Sequence, residues 1–110
     1  MRALVTGGGG FLGHAIIEQL LARGESVKSF ARGSYPHLAA RGVEVVQGDV
    51  ANADAVRGAV REVDVVFHVA AKAGIWGRET DFFSANVTGT DNVIRACQQA
   101  GISRLVYTSS

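Results

Sequence analysis

The 110-residue sequence predicts an α/β fold, a doubly wound parallel sheet with helices on both faces. Short apolar runs alternate with segments of helical periodicity along the chain, which is typical of successive βαβ units. The run Gly7–Gly10 separates the first apolar run from the first helical segment. Val63–Val69 is apolar on both faces of a strand except at Asp64 and His68, as burial between two layers of helices requires.

The first strand and the first helix flank the glycines. Ala3–Val5 is a short apolar run that the glycines stop. Leu12, Ile16 and Leu20 fall on one helical face, with Ile17 and Leu21 beside them. Arg23 and Gly24 then close this helix, because a basic last turn and a glycine cap are typical of a helix C-terminus.

Two more strands and a short helix follow. Ser26–Ala31 and Val43–Gln47 are predicted as the second and third strands. The irregular stretch Arg32–Pro36 separates the second strand from a short helix near His37–Arg41. Gly48-Asp49 ends the third strand.

The second half of the chain supplies the remaining elements. Asn52 is a candidate N-cap, and Gly101 ends a long helix. The predicted elements are a helix from Asn52 or Ala53 to Val60, a strand Val63–Val69, a helix from about Thr80 to Ala100, and a strand Arg104–Thr108. Because crossovers between parallel strands are right-handed, the strands are expected in the order 3-2-1-4-5, with residues 1–110 as one domain.

Composition excludes several classes of function. The chain has 11 basic and 10 acidic residues, a net charge of +1, so charge alone would not hold a nucleic acid or a membrane surface. Cys97 is the only cysteine, and the three histidines are scattered, which excludes a disulfide framework and predicts no metal site. No apolar run approaches the roughly 18 residues of a membrane span, and no leader precedes the first strand, so a cytoplasmic protein is expected.

The segment Thr6–Gly13 is the strongest functional signal. Its glycines are spaced three apart at Gly7, Gly10 and Gly13, and Gly8 completes a G-x-G-x-x-G pattern. Between a strand and a helix, this pattern allows a tight turn, close approach of a pyrophosphate, and packing of helix on strand. The anion would then lie on free N–H groups at the positive end of the helix dipole. The candidate cofactor-binding residues here are Gly7, Gly10, Phe11, Leu12 and Gly13; a glycine-rich turn without a ligand is the alternative.

The end of the second strand indicates which dinucleotide is bound. NAD sites usually place a carboxylate here to hold the ribose 2′-hydroxyl, and none is present after Ala31. Arg32 offers a fork of donors suited to a phosphate, and Ser34 could assist it. These residues favour NADP over NAD, unless Arg32 is simply a solvated loop residue.

Three further loops contribute candidate cofactor-binding residues. The Asp49 carboxylate could accept a hydrogen bond from the adenine amino group while Val50 covers the ring, or Asp49 could be a turn residue. Ala70 and Ala71 are small enough to let a dinucleotide cross the edge of the sheet. Lys72 is either a phosphate or ribose ligand or a solvated lysine.

Three other polar or aromatic residues have simpler interpretations. His68, in the middle of a buried strand, is expected to be a core histidine whose hydrogen bonds are satisfied. Cys97 is expected to pack in the core rather than act as a nucleophile. Trp76, in a glycine-rich loop, either covers the site or lies on the surface.

Five motifs, in order, resemble those of the extended short-chain dehydrogenase/reductases, and the resemblance covers essentially the whole chain. The segment Ala70–Gly77 is most similar to the 3β-hydroxysteroid dehydrogenase branch, which includes sterol-4α-carboxylate dehydrogenases and bacterial 2-alkyl-3-oxoalkanoate reductases. The five motifs are Thr6–Gly13, Gly48–Val50, His68–Ala71, Asn86–Val93 and Tyr107–Ser110.

The resemblance implies a Rossmann-type domain and hydride transfer between a nicotinamide and a small hydrophobic alcohol or ketone. It assigns the catalytic hydroxyl to Ser110, ahead of Ser109. It also implies that Asn86 supports a proton relay, with a polar helix residue that bonds local backbone as the alternative. The family's Tyr-x-x-x-Lys pair does not occur in these residues. The chain is therefore expected to be the amino-terminal part of a longer enzyme and inactive alone. Relatives often dimerise, so a homodimer of the whole protein is one option, and the sequence leaves the oligomeric state open. A nucleotide-sugar epimerase or dehydratase and a non-enzymatic NADP sensor are the alternatives.

Overall fold

Five parallel strands form one sheet in the order β3-β2-β1-β4-β5, which confirms the predicted topology. The computed structural model describes residues 1–70 and 79–109, with the side chains of residues 1–69 and 87–108. The elements are β1 Arg2–Thr6, α1 Phe11–Ala22, β2 Ser26–Ala31, α2 Pro36–Ala40, β3 Glu44–Gln47, α3 Ala53–Ala59, β4 Val65–Ala70, α4 Glu79–Ala100 and β5 Arg104–Ser109.

Neighbouring residues of each central strand are buried in two different cores. In β1, Leu4 belongs to the core that contains Val93 of α4, whereas Val5 belongs to the core that contains Ile17 of α1. Successive side chains of a strand point to opposite faces of the sheet, so this alternation requires helices on both sides. The predicted doubly wound arrangement is confirmed, with α1 and α2 on one face and α3 and α4 on the other.

The fourth strand starts two residues later than the sequence predicts. Val63 is still in a turn, where its N–H donates to the Val60 carbonyl at 3.3 Å. Asp64 is bonded to the start of β1 through its side chain, because its carboxylate accepts a hydrogen bond from the Arg2 N–H at 2.7 Å. The ladder with β1 therefore begins at Val65.

Several other ends differ by a residue. The strand β3 starts at Glu44 rather than Val43, because the Val43 N–H closes a turn onto the Leu38 carbonyl. The helix α2 starts at Pro36, which suits a first helical position because proline has no N–H to satisfy. Arg23 is the C-cap of α1 and not part of its last turn, which contains no basic residue. The remaining shifts are those of β1 to Arg2–Thr6, α1 to Phe11–Ala22, α2 to an end at Ala40, α3 to an end at Ala59, β4 to an end at Ala70, α4 to a start at Glu79, and β5 to an end at Ser109.

The predicted caps are present. The side-chain Oδ1 of Asn52 accepts a hydrogen bond from the Ala55 N–H at 3.2 Å, which caps α3. Gly24 and Gly101 follow α1 and α4 with φ of +77° and +74°, the left-handed backbone that favours glycine. Among the described residues, no helix is both long and apolar enough to cross a membrane.

The start of α1 is fixed by contact between two glycines. A β-carbon on Gly13 would overlap the Gly7 carbonyl and lie 2.9 Å from the Gly8 Cα. These neighbours are backbone atoms and cannot move away as a flexible side chain could. The first turn of α1 therefore packs directly on the loop that leaves β1.

We expect Gly13→Ala to destabilise the protein by about 1–3 kcal/mol, the usual cost of forcing an extra methyl group into a packed site. Gly58→Ala is the matched control, because Gly58 lies in α3 with open space around its Cα. That variant should gain up to about 1 kcal/mol from the higher helix propensity of alanine. Denaturant unfolding of both variants measures the difference, and equal effects would contradict this account.

Candidate functional site

The glycine loop ties the ends of neighbouring strands together. Gly7, directly after β1, has φ of +71°, and its N–H donates to the Phe30 carbonyl of β2 at 3.1 Å. The Gly10 N–H returns to the Gly7 carbonyl at 3.1 Å. A β-carbon on Gly7 would lie 3.0 Å from the Val69 carbonyl, so the loop also touches the end of β4.

The amino end of α1 presents free donors. Gly10 is the N-cap and offers no side-chain hydrogen bond, and the first helical bond runs from the His14 N–H to the Gly10 carbonyl at 2.9 Å. The N–H groups of Phe11, Leu12 and Gly13 therefore have no partner within the helix. The first turn contains no acidic residue, so nothing there opposes an anion. This geometry is that of an anion-binding helix terminus.

Arg32 lies at the end of β2 with its backbone fixed and its side chain exposed. The Gln47 amide donates to the Arg32 carbonyl at 2.9 Å, and the Gly48 N–H donates to the Ala31 carbonyl at 2.8 Å. No carboxylate of the described residues pairs with the guanidinium. Residues 26–43 contain no acidic residue, so the formal charges of β2 and the segment after it are all positive.

Asp49 and Val50 occupy the loop after β3. One oxygen of the Asp49 carboxylate accepts from the Ala51 N–H at 2.9 Å, so the turn role predicted as one alternative is present. That bond leaves the second carboxylate oxygen available, and Asp49 is exposed. Asp49 can therefore hold the turn and still accept a hydrogen bond from a ligand.

The helix α4 holds the Val50 loop through two residues whose roles the sequence analysis missed. The Asn92 amide donates to the Val50 carbonyl at 2.8 Å. A β-carbon on Gly89 would lie 2.5 Å from a methyl group of Val50, so the helix approaches this loop only because residue 89 is glycine. The sequence does contain one indication of this pair: Gly89 and Asn92 are three residues apart, which places them on one face of a helix.

A buried polar network lies below the glycine loop. His68 is 4% exposed, and its Nδ1 and Nε2 lie 2.7 Å and 3.0 Å from the hydroxyls of Thr6 and Thr90. The Val69 N–H also donates to the Thr6 hydroxyl at 3.1 Å. His68 is thus the satisfied core histidine that the sequence predicts, and it joins β1, β4 and α4.

Burial sets the protonation state of this histidine. Desolvation lowers the pKa of His68 below its ordinary value, so the ring is neutral near pH 7. All bonds are satisfied when the Thr6 hydroxyl donates to Nδ1 and the Nε2–H donates to Thr90. Burial also raises the pKa of the Cys97 thiol, and Cys97 lies in the core as predicted.

Replacing Thr6 tests the network. Thr6→Val keeps the shape but leaves His68 Nδ1 and the Val69 N–H without their partner, so we expect a loss of about 1–3 kcal/mol of stability. Ser29→Ala is the matched control, since Ser29 is fully buried on β2 and its hydroxyl has no hydrogen-bond partner. Its removal should cost nothing. Equal destabilisation in denaturant unfolding would show that the network contributes little.

An open cavity of about 380 Å³ adjoins the amino end of α1. It lies beside the free N–H groups and is bordered by His14 in the first turn of α1 and His37 in the first turn of α2. The ring of Phe11 is 95% exposed, so it covers none of these donors. The lining residues are Gly9, Gly10, Phe11, His14, Ala15 and His37.

Some predicted site residues lie outside the described part of the chain. Ala70 is the last residue of β4, but nothing is described of its side chain. Ala71, Lys72 and the catalytic candidate Ser110 lie outside the described residues, as do Trp76 and the side chain of Asn86. Among the residues that are described, no three His, Cys, Asp or Glu side chains are grouped so that they could hold a metal ion.

The fold and the glycine loop together define a Rossmann-type domain. The model of the 3-beta hydroxysteroid dehydrogenase/isomerase family matches residues 4–110, and the chain belongs to that family.

Curated relatives agree with this assignment. The chain is 54% identical over 110 residues to the 2-alkyl-3-oxoalkanoate reductase of Stenotrophomonas maltophilia (strain K279a), covering 100% of this chain and 33% of that protein. It is 43% identical over 116 residues to the 3-beta-hydroxysteroid dehydrogenase of Mycolicibacterium neoaurum, covering 99% of this chain and 32% of the relative. The chain thus spans about a third of the length of the curated relatives it matches.

A solved structure shows the same fold. The UDP-glucose 4-epimerase of Thermus thermophilus, determined as a complex with NAD, superposes with a TM-score of 0.82 at 36% identity. The match covers 96% of this chain and 36% of the epimerase chain.

Proposed function

We propose that this chain is the NAD(P)-binding part of an oxidoreductase that interconverts a secondary alcohol and a ketone. The proposed substrate is small and hydrophobic, similar to a 3β-hydroxysteroid or a 3-oxoalkanoate. One observation carries the proposal: three N–H groups of Phe11, Leu12 and Gly13 are free at the start of α1, beside a loop in which Gly8 and Gly9 leave no room for a side chain. The 54% identity to a 2-alkyl-3-oxoalkanoate reductase supports this substrate class.

The residues present fit a nicotinamide dinucleotide. Its pyrophosphate would accept from the free N–H groups of α1, and Gly7 and Gly10 shape the bend that lets it approach. Its adenine would lie near Asp49 and Val50, in the loop that α4 holds. Ala70, Ala71 and Lys72 are proposed to border the dinucleotide where β4 ends. When bound, the dinucleotide supplies or accepts the hydride at its nicotinamide ring.

The proposed cofactor is NADP rather than NAD. The end of β2 contains Arg32 and no acidic residue, so a 2′-phosphate would meet a cation and no competing carboxylate. The free 2′-hydroxyl of NAD would find no carboxylate acceptor at the end of that strand. The NAD bound in the structure of the epimerase belongs to that relative.

We propose catalysis only for a full-length protein, of a length similar to that of the relatives. Ser110 would hydrogen-bond the substrate oxygen after β5, but the chain contains no Tyr-x-x-x-Lys pair to exchange the proton. The proposed reaction therefore needs residues beyond these 110. Assembly as a homodimer and a location in the cytoplasm stay predictions.

An epimerase acting on a nucleotide sugar is the second candidate, favoured by the 36% identity to the UDP-glucose 4-epimerase. Such enzymes keep NAD tightly bound, and the proposed NADP-dependent reductase would exchange its cofactor. A protein purified with NAD already in place would support the epimerase.

Substitution of Arg32 tests the cofactor proposal. We expect Arg32→Ala to reduce the preference for NADPH over NADH by roughly 1–3 kcal/mol, the value of a charge-assisted hydrogen bond. Both nucleotides should be titrated by calorimetry against the protein as its gene encodes it.

Arg61→Ala is the matched control for this experiment. Arg61 is exposed in the turn before β4, at the opposite end of the sheet, so its removal changes the net charge equally without touching the proposed site. If Arg32→Ala and Arg61→Ala leave the same preference as the unchanged protein, Arg32 is not part of the site.

A further inference from the structure

The hydroxyl end of the Tyr35 ring packs against Gly9 of the glycine loop and Gly33 of the loop after β2. A β-carbon on Gly33 would lie 2.6 Å from the Tyr35 hydroxyl oxygen, and one on Gly9 would overlap the hydroxyl end of the same ring. Both glycines leave room for this ring. The hydroxyl of Tyr35 therefore lies where the two loops approach each other.

The surroundings hold the ring in this position. Tyr35 is partly buried against the core that contains Leu38, and the ring of His37 meets it edge-on at 6.1 Å between centroids. Tyr35 is also the N-cap residue of α2, where its carbonyl accepts from the Leu38 N–H at 3.0 Å. With backbone and ring both fixed, little conformational entropy remains to be lost when the hydroxyl binds a ligand.

The hydroxyl itself is available. It makes no hydrogen bond to any residue in the described part of the chain. The two segments that contact the ring, residues 1–17 and 26–43, contain no acidic residue, and Arg32 lies three positions before Tyr35. The nearest acidic residue of α1, Glu18, is engaged by Arg41 at 2.6 Å. A donor in such surroundings suits a doubly charged phosphate.

We propose that the Tyr35 hydroxyl donates a hydrogen bond to the ribose 2′-phosphate of NADP, and so determines cofactor specificity together with Arg32. This inference rests on the proposed function, in which the amino end of α1 binds the pyrophosphate. The adenosine ribose of a dinucleotide bound in that way lies between the glycine loop and the end of β2. The hydroxyl end of Tyr35 lies at the edge of that space, where it contacts Gly9 of one loop and Gly33 of the other.

A purely structural role for the ring makes a different prediction from a role for the hydroxyl. Tyr35→Phe keeps the ring, its contact with His37 and the fit against both glycines, and removes only the donor. A ring that acts only as packing would leave the choice between NADP and NAD unchanged.

The experiment measures the dissociation constants of NADP and NAD by calorimetry. It compares the full-length wild-type protein with its Tyr35→Phe variant. We expect Tyr35→Phe to weaken NADP binding about tenfold, because a hydrogen bond to a charged group is worth at least about 1.4 kcal/mol. NAD binding should change by less than about twofold on the same scale. Tyr107→Phe is the matched control, since Tyr107 is 56% exposed on β5 and its phenylalanine variant should bind both nucleotides as the unchanged protein does.

Each other outcome overturns a defined part of the account. Equal weakening of both nucleotides, or no weakening, overturns the role of the hydroxyl and leaves dinucleotide binding intact. Binding of NAD but not NADP by the wild-type protein also overturns the role of the hydroxyl. An unchanged protein that binds neither nucleotide overturns the proposed function on which the inference rests.

Discussion

The contact between the backbones of Gly7 and Gly13 is the constraint on which the rest of the site depends. Because residue 13 has no side chain, α1 begins directly against the loop that leaves β1. This placement turns the free N–H groups of the first helical turn toward the carboxyl edge of the sheet, where ligands of doubly wound folds bind. The same glycine loop bonds to the end of β2 and touches the end of β4, so one short segment fixes three strand ends relative to each other.

The layer below the loop keeps this edge rigid by polar contacts that cross the core. His68 connects Thr6 to Thr90, and Asn92 connects α4 to the Val50 carbonyl. A buried polar group costs free energy unless it is paired, so these bonds permit few alternative arrangements of the loops. A site that is already in place loses little entropy on binding, which suits a domain proposed to take up and release a dinucleotide.

The sequence predicted the features that depend on local pattern. The glycine spacing, the caps at Asn52 and Gly24, and the strand order all follow from neighbouring residues and from the handedness of crossovers. It did not predict contacts that form only in the folded chain. Asn92 and Val50 are 42 positions apart, and no periodicity shows that an amide on one helix will bond that carbonyl. The sequence likewise does not indicate Tyr35 as a site residue. Its contacts with Gly9 and Gly33 form only when folding brings the two loops together. The start of β4 was misplaced because Asp64 bonds Arg2 through its carboxylate.

A crystal structure of the protein, as its gene encodes it, grown with NADPH tests the central claim most directly. The account predicts pyrophosphate oxygens within about 3 Å of the N–H groups of Phe11, Leu12 and Gly13, the normal length of such a hydrogen bond. A dinucleotide bound elsewhere, or glycine-loop amides turned away from the phosphates, would contradict it.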